Sequence, residues 1–113
     1  ALQRGLVVRA LVAECEKRFI PGTHLIRYGE GDWNDSLQPH DPHLRDWMVA
    51  SGTAGLLYEQ LARYAAILAK TPETNPPGGH DEARRLERLC EAIRADFNRH
   101  LISGGITAGY ALF

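Results

Sequence analysis

Between Asp46 and Lys70 the chain carries apolar side chains on more faces of a helix than a surface helix can hide. Trp47, Ala50, Ala54, Leu57, Leu61, Tyr64 and Leu68 form one stripe. Met48, Leu56, Tyr58, Ala62 and Ala66 spread apolar character around the rest. Such a helix needs cover on most sides, so the fold must supply several neighbours. Asp46 reads as its N-cap. Gly52 and Gly55 each cost an isolated helix roughly 1 kcal/mol relative to Ala, which predicts close approach of a neighbouring helix.

Two further helices flank it. Leu2 to Phe19 is amphipathic: Val8, Leu11, Val12, Cys15 and Phe19 share a face, with Arg4, Glu16 and Lys17 turned away. Pro21-Gly22 ends it. Asp81 reads as the cap of a third helix reaching about Ile102. Leu86, Leu89, Ile93, Phe97 and Leu101 make one narrow stripe there, and Gly104-Gly105 closes it. Thr71 to Gly79 is a Pro- and Gly-rich turn. The expected fold class is all-α, and an all-round apolar helix between two half-exposed ones suits a helical toroid.

Residues 20–46 form a long polar connection rich in Gly, Pro and His. Loops of this length in compact domains are usually functional or disordered, and Tyr28 and Trp33 argue against disorder. His24 to Tyr28 reads as a short strand or hairpin arm. Within the loop, Asp32, Trp33, Asn34 and Asp35 set two carboxylates, an amide and an indole side by side. A sugar site needs that mixture: an aromatic face for the pyranose, polar groups for its hydroxyls, and a proton donor for its glycosidic bond. Asp35 alone reads equally well as a turn-capping carboxylate; the neighbouring Trp33 is what favours function. Asp32, Asn34 and Ser36 share the spacing of an EF-hand loop, but Leu37 and His43 stand where Gly and Glu are needed. His40 and His43 lie in a Pro-broken loop without helical ligand spacing, and no metal is expected.

The stretch Gly31-Asp32-Trp33-Asn34-Asp35 resembles the signature of the cellobiose-phosphorylase-like family, the inverting phosphorylases of β-glucosides and their relatives. The flanks Leu25–Gln38 and Gly104–Phe113 are similar too. The resemblance implies that Asp35 is the general acid and that Trp33 lines the donor-sugar subsite. Asp32 and Asn34 take supporting roles, holding sugar hydroxyls or tuning Asp35. It implies an (α/α)6 barrel, of which this chain is a three-helix segment with a long active-site loop leading from an outer helix to an inner one. It also implies inorganic phosphate as co-substrate with no cofactor, and phosphate-binding residues beyond Phe113. Ser36-Leu37-Gln38-Pro39 departs from the Gly or Cys that many members carry after the second Asp, which leaves the acceptor sugar open.

A chain of 113 residues is one domain by length, far shorter than members of that family. The whole of 1–113 is therefore expected to be part of a catalytic domain, inactive by itself, both ends reading as cut. Net charge is −1 with acids and bases interspersed, unlike a nucleic-acid binder. Arg84, Arg85 and Arg88 lie among Glu82, Glu87 and Glu91 and read as a solvated, ion-paired face. No apolar run reaches the length of a membrane span. Cys15 and Cys90 form no disulfide framework, which points to a reducing cytoplasm. The expected partners are a β-glucoside or oligosaccharide, phosphate, and a second copy of the chain covering the central helix. The competing functions are an inverting hydrolase on the same scaffold and a non-catalytic helical domain that binds sugar or a protein.

Overall fold

The computed structural model describes residues 2–29, 42–72 and 78–113. Helix α1 spans Leu2–Lys17, a short α2 spans Pro42–Trp47, and strand β1 is Met48–Ala50. Helices α3 (Ser51–Lys70) and α4 (Gly79–Leu101) follow, then strands β2 (Ile102–Ser103), β3 (Ile106–Thr107) and β4 (Tyr110–Leu112). The chain is mainly helical, with two small antiparallel ribbons that the all-α expectation left out.

Helices α3 and α4 pack along one another and make the larger core. Leu61, Ala65 and Leu68 of α3 meet Ala83, Leu86, Leu89, Cys90 and Ile93 of α4, and Val12 of α1 joins them. The α4 stripe is as its spacing predicts: Leu86, Leu89, Ile93 and Leu101 are buried and Phe97 is half-buried. Its first turn holds Asp81 and Glu82 and its last Arg99 and His100, a charge order that complements the helix dipole.

A second core gathers Ile20, Leu25, Val49, Ala54 and Leu101, with Phe97, Ala111 and Phe113 packed against it. It sits where β1 pairs with β4, in the register Met48↔Leu112, Val49↔Ala111 and Ala50↔Tyr110. The ladder extends at both ends, from Phe113 N–H to Trp47 C=O at 2.8 Å and from Ser51 N–H to Gly109 C=O at 2.9 Å.

That pairing corrects the expected start of the central helix. Asp46 is not its N-cap, and Trp47 and Ala50 are not on its stripe. The helix begins at Ser51 after an extended Ala50 that makes no side-chain cap. Backbone groups of 48–50 are satisfied by β4 instead, an outcome set by residues some sixty positions away. Asp81 is likewise not a cap: Gly78, at φ +74°, precedes α4, and Asp81 pairs with Arg84. Gly104 and Gly105, at φ +59° and +77°, do not cap α4; they form the two-residue turn between β2 and β3. Gly52 and Gly55 have no neighbouring atom within 4 Å of where a side chain would begin, so no helix approaches them closely among the described residues.

Helix α1 ends at Lys17, before Pro21-Gly22, which forms the turn of a small hairpin closed by the antiparallel bridge Phe19↔Ile26. Its stripe is only partly used: Val12 is buried, but Leu11 is 60% exposed. Glu16 is not turned away; its Oε1 pairs with Arg85 of α4 at 3.1 Å. Among the described residues, no helix is long and apolar enough to cross a membrane.

Candidate functional site

The two anchors of the polar loop come together. Gly29 N–H donates to Arg45 C=O at 2.9 Å, and Tyr28 N–H donates to Met48 C=O at 2.7 Å. Tyr28-Gly29 and the segment Arg45–Met48 therefore lie side by side. Tyr28 is buried there, its ring edge-on to Tyr110 with centroids 6.1 Å apart. On the returning side His43 stacks on Trp47, with centroids 6.2 Å apart and planes 20° from parallel. Asp32, Trp33, Asn34 and Asp35 all lie outside the described residues.

Beside this junction is an open cleft of about 680 Å3, lined by Arg18, Arg27, Arg45, Asp46, Ile26, Tyr28, Gly29 and Thr53. Arg45 Nε lies 3.3 Å from Asp46 Oδ1. Arg18 and Arg27 face each other across the hairpin, Arg27 N–H donating to Arg18 C=O at 2.9 Å. The cleft therefore offers guanidinium donors and a carboxylate acceptor, a set suited to hydroxyls and to oxyanions. Sequence reading missed it. Arg27 and Arg45 flank the motif and were within reach, but Arg18 enters only through the Phe19↔Ile26 bridge.

The hairpin that carries Arg27 is tied down on its other side. Asp96 of α4 accepts from His24 N–H at 2.7 Å and lies 3.0 Å from His24 Nδ1. Burial pushes the Asp96 carboxyl up, but the backbone and ring hydrogen bonds from His24, with the charges of His24 and His100, outweigh it and hold the group below its ordinary value. Burial raises both thiols above their ordinary value. Arg18 opposes the rise at Cys15, and Glu87 and Glu91 add to it at Cys90. Neither cysteine lines the cleft. Among the described residues no three His, Cys, Asp or Glu side chains gather as metal ligands.

Comparison with known proteins points to one class: the chain is similar to a phosphorylase of oligoglucans. That relative is the 1,2-beta-oligoglucan phosphorylase of Listeria innocua serovar 6a, 36% identical over 94 residues. The match takes in 83% of this chain and 8% of the relative, so the chain spans only a small part of its length. Wherever a span of that size begins, it includes residues 31–38, Arg27 and Arg45. No family model matches the chain. The similarity supports a phosphorylase-like family.

Proposed function

We propose that this chain is the segment of an inverting glucan phosphorylase that carries the general acid, and that it forms part of an (α/α)6 barrel. The similarity to an oligoglucan phosphorylase over most of the chain carries the reading, and the Asp-Trp-Asn-Asp sequence gives it chemistry. Asp35 holds a proton and gives it to the glycosidic oxygen as the bond to the anomeric carbon breaks. The bonding electrons leave with that oxygen. A phosphate oxygen attacks the anomeric carbon from the opposite face, so the sugar leaves as a glycosyl phosphate of inverted configuration. Phosphate is already a nucleophile, so no protein base is needed. Trp33 stacks on the donor sugar, and Asp32 and Asn34 hold its hydroxyls.

The described structure supports this reading by closing the base of the loop beside a polar cleft. The substrates are a β-linked glucan and inorganic phosphate, with no cofactor, acting in the cytoplasm. The test uses the protein that carries this chain. Glucan cleavage should require phosphate and release glycosyl phosphate. Asp35→Asn should lower turnover at least ~10²-fold with the fold retained. Cleavage that proceeds equally without phosphate and releases free sugar would assign a hydrolase. Turnover close to normal in Asp35→Asn would remove Asp35 as the acid.

A further inference from the structure

We propose that Tyr110 stacks its ring on a glucose unit of the glucan, a substrate contact that lies outside the Asp-Trp-Asn-Asp motif. Two connections of the chain meet at one end of the helices. Residues 18–50 lead from α1 to α3, and residues 102–113 lead on from α4 through β2, β3 and β4. The β1–β4 ladder and the Ser51 N–H to Gly109 C=O bond join them. Tyr28-Gly29, which runs directly into the motif, bonds to Arg45 and Met48 at this same end. In the barrel proposed above, β4 therefore belongs to the rim that carries the general acid. The choice of a glucan as ligand rests on that reading.

Val49 and Ala111, paired across the ribbon, turn into the second core. Side chains alternate along a strand, so Tyr110 stands on the opposite face, where it is 49% exposed. Its ring is supported. Buried Tyr28, which lines the polar cleft, meets it edge-on with centroids 6.1 Å apart. An edge-on neighbour steadies a ring while covering at most one of its faces. The apolar face of a pyranose packs on such a ring, and its hydroxyls need polar partners. Arg45, Asp46 and Thr53 line the cleft with Tyr28 and supply them. The other described aromatic side chain listed with the open apolar surface, Trp47, already has His43 stacked on its ring. Ile106 of the same connection is more open than Tyr110, but it has no flat face to offer a sugar.

Calorimetric titration of the protein carrying this chain with a 1,2-β-glucan oligosaccharide tests the assignment. Tyr110→Ala should weaken binding at least roughly fivefold and raise KM for the glucan with kcat nearly unchanged, the mark of lost binding shared by ground and transition states. Tyr110→Phe keeps the flat ring and should bind within about twofold of the parent. Tyr110→Leu keeps apolar bulk without a flat face and should bind as weakly as Tyr110→Ala. Ile106→Ala, the control in the same connection, should bind as the parent does. KM for phosphate should not move in any of these variants, and thermal melts establish that they fold. Should Tyr110→Ala fail to fold, the comparison of Tyr110→Phe with Tyr110→Leu decides. Parent-like glucan affinity in Tyr110→Leu overturns the stacking, since the residue then only fills apolar space. A parent protein that binds no glucan overturns it as well. Failure of the phosphorylase reading shows separately, as cleavage that proceeds without phosphate, and leaves the binding comparison intact.

Discussion

Asp96 joins two parts of the chain that share no local sequence signal, the hairpin under the cleft and the last turns of α4. Its carboxyl is more acidic folded than unfolded, so its stabilisation is complete above the ordinary value of 3.8 and is lost as pH falls through the lower folded value. Asp96→Ala should cost about 1–2 kcal/mol at neutral pH, below the roughly 1.5–3 kcal/mol range for a hydrogen-bonded charge because solvent screens the partly exposed pair. The gap between parent and variant in urea melts should close as the solution is acidified below that ordinary value. A gap of the same size in acid would mean that packing, not charge, makes the contact. Trp33 makes the other argument at this scale. It stands in a polar, Gly-flanked stretch outside every apolar stripe. Trp33→Ala in the protein carrying this chain should weaken glucan affinity more than it lowers Tm. A large drop in Tm with affinity unchanged would return Trp33 to the core. Asp32 to Asp35 were singled out by residue type and by the resemblance of their sequence to a family signature, whereas the arginine pair became visible only when the backbone brought positions 18 and 27 together.

At the scale of elements, local pattern and long-range pairing divide what the sequence could reveal. The α4 stripe was legible because its buried positions repeat at helical spacing, most of them against α3. The start of α3 was not, since Trp47, Met48 and Val49 suit a helix or a strand equally until β4 arrives to pair with them. The glycines after α4 were misread for a related reason. A Gly-Gly pair past a helix fits a helix cap or a hairpin turn, and only the Ile102↔Thr107 register decides for the turn. Gly105, at φ +77°, occupies a region that costs an L residue about 1–2 kcal/mol. No atom lies within 4 Å of its added Cβ, so backbone strain is the only penalty. Gly105→Ala should therefore lower unfolding stability by about 1 kcal/mol while leaving far-UV helix content unchanged. No change in the urea midpoint would show that the hairpin contributes nothing to cooperative unfolding.

The whole molecule hides less than its composition promises. The all-round apolar α3 is covered by α4 along one side, where Ala54, Leu61, Ala65 and Leu68 are buried. On other faces Leu56 is 57% exposed and Ile67 63% exposed. Val7 and Leu11 of α1 are open as well. A further apolar hollow of about 200 Å3, lined by Gly55, Tyr58, Ile93 and Phe97 among others, opens between α3 and α4. Among the described residues the β1–β4 ribbon has only two strands; Tyr28 N–H meets the outer edge of β1 at Met48 C=O, and no strand pairs with the outer edge of β4. Apolar surface of this kind marks an interface in monomeric-sized domains. In the barrel proposed above, neighbouring helices would take that place; for the 113-residue chain by itself, a second copy is the available cover. We therefore expect the isolated chain to self-associate, its sedimentation coefficient rising with concentration. Leu56→Glu with Ile67→Glu places two charges on the open face of α3, away from the α4 contact, and should shift the chain toward monomer with little loss of Tm. A parent chain that sediments as a monomer at every concentration would sink the expectation. So would a double variant that associates as strongly as the parent, since association would then run through another surface.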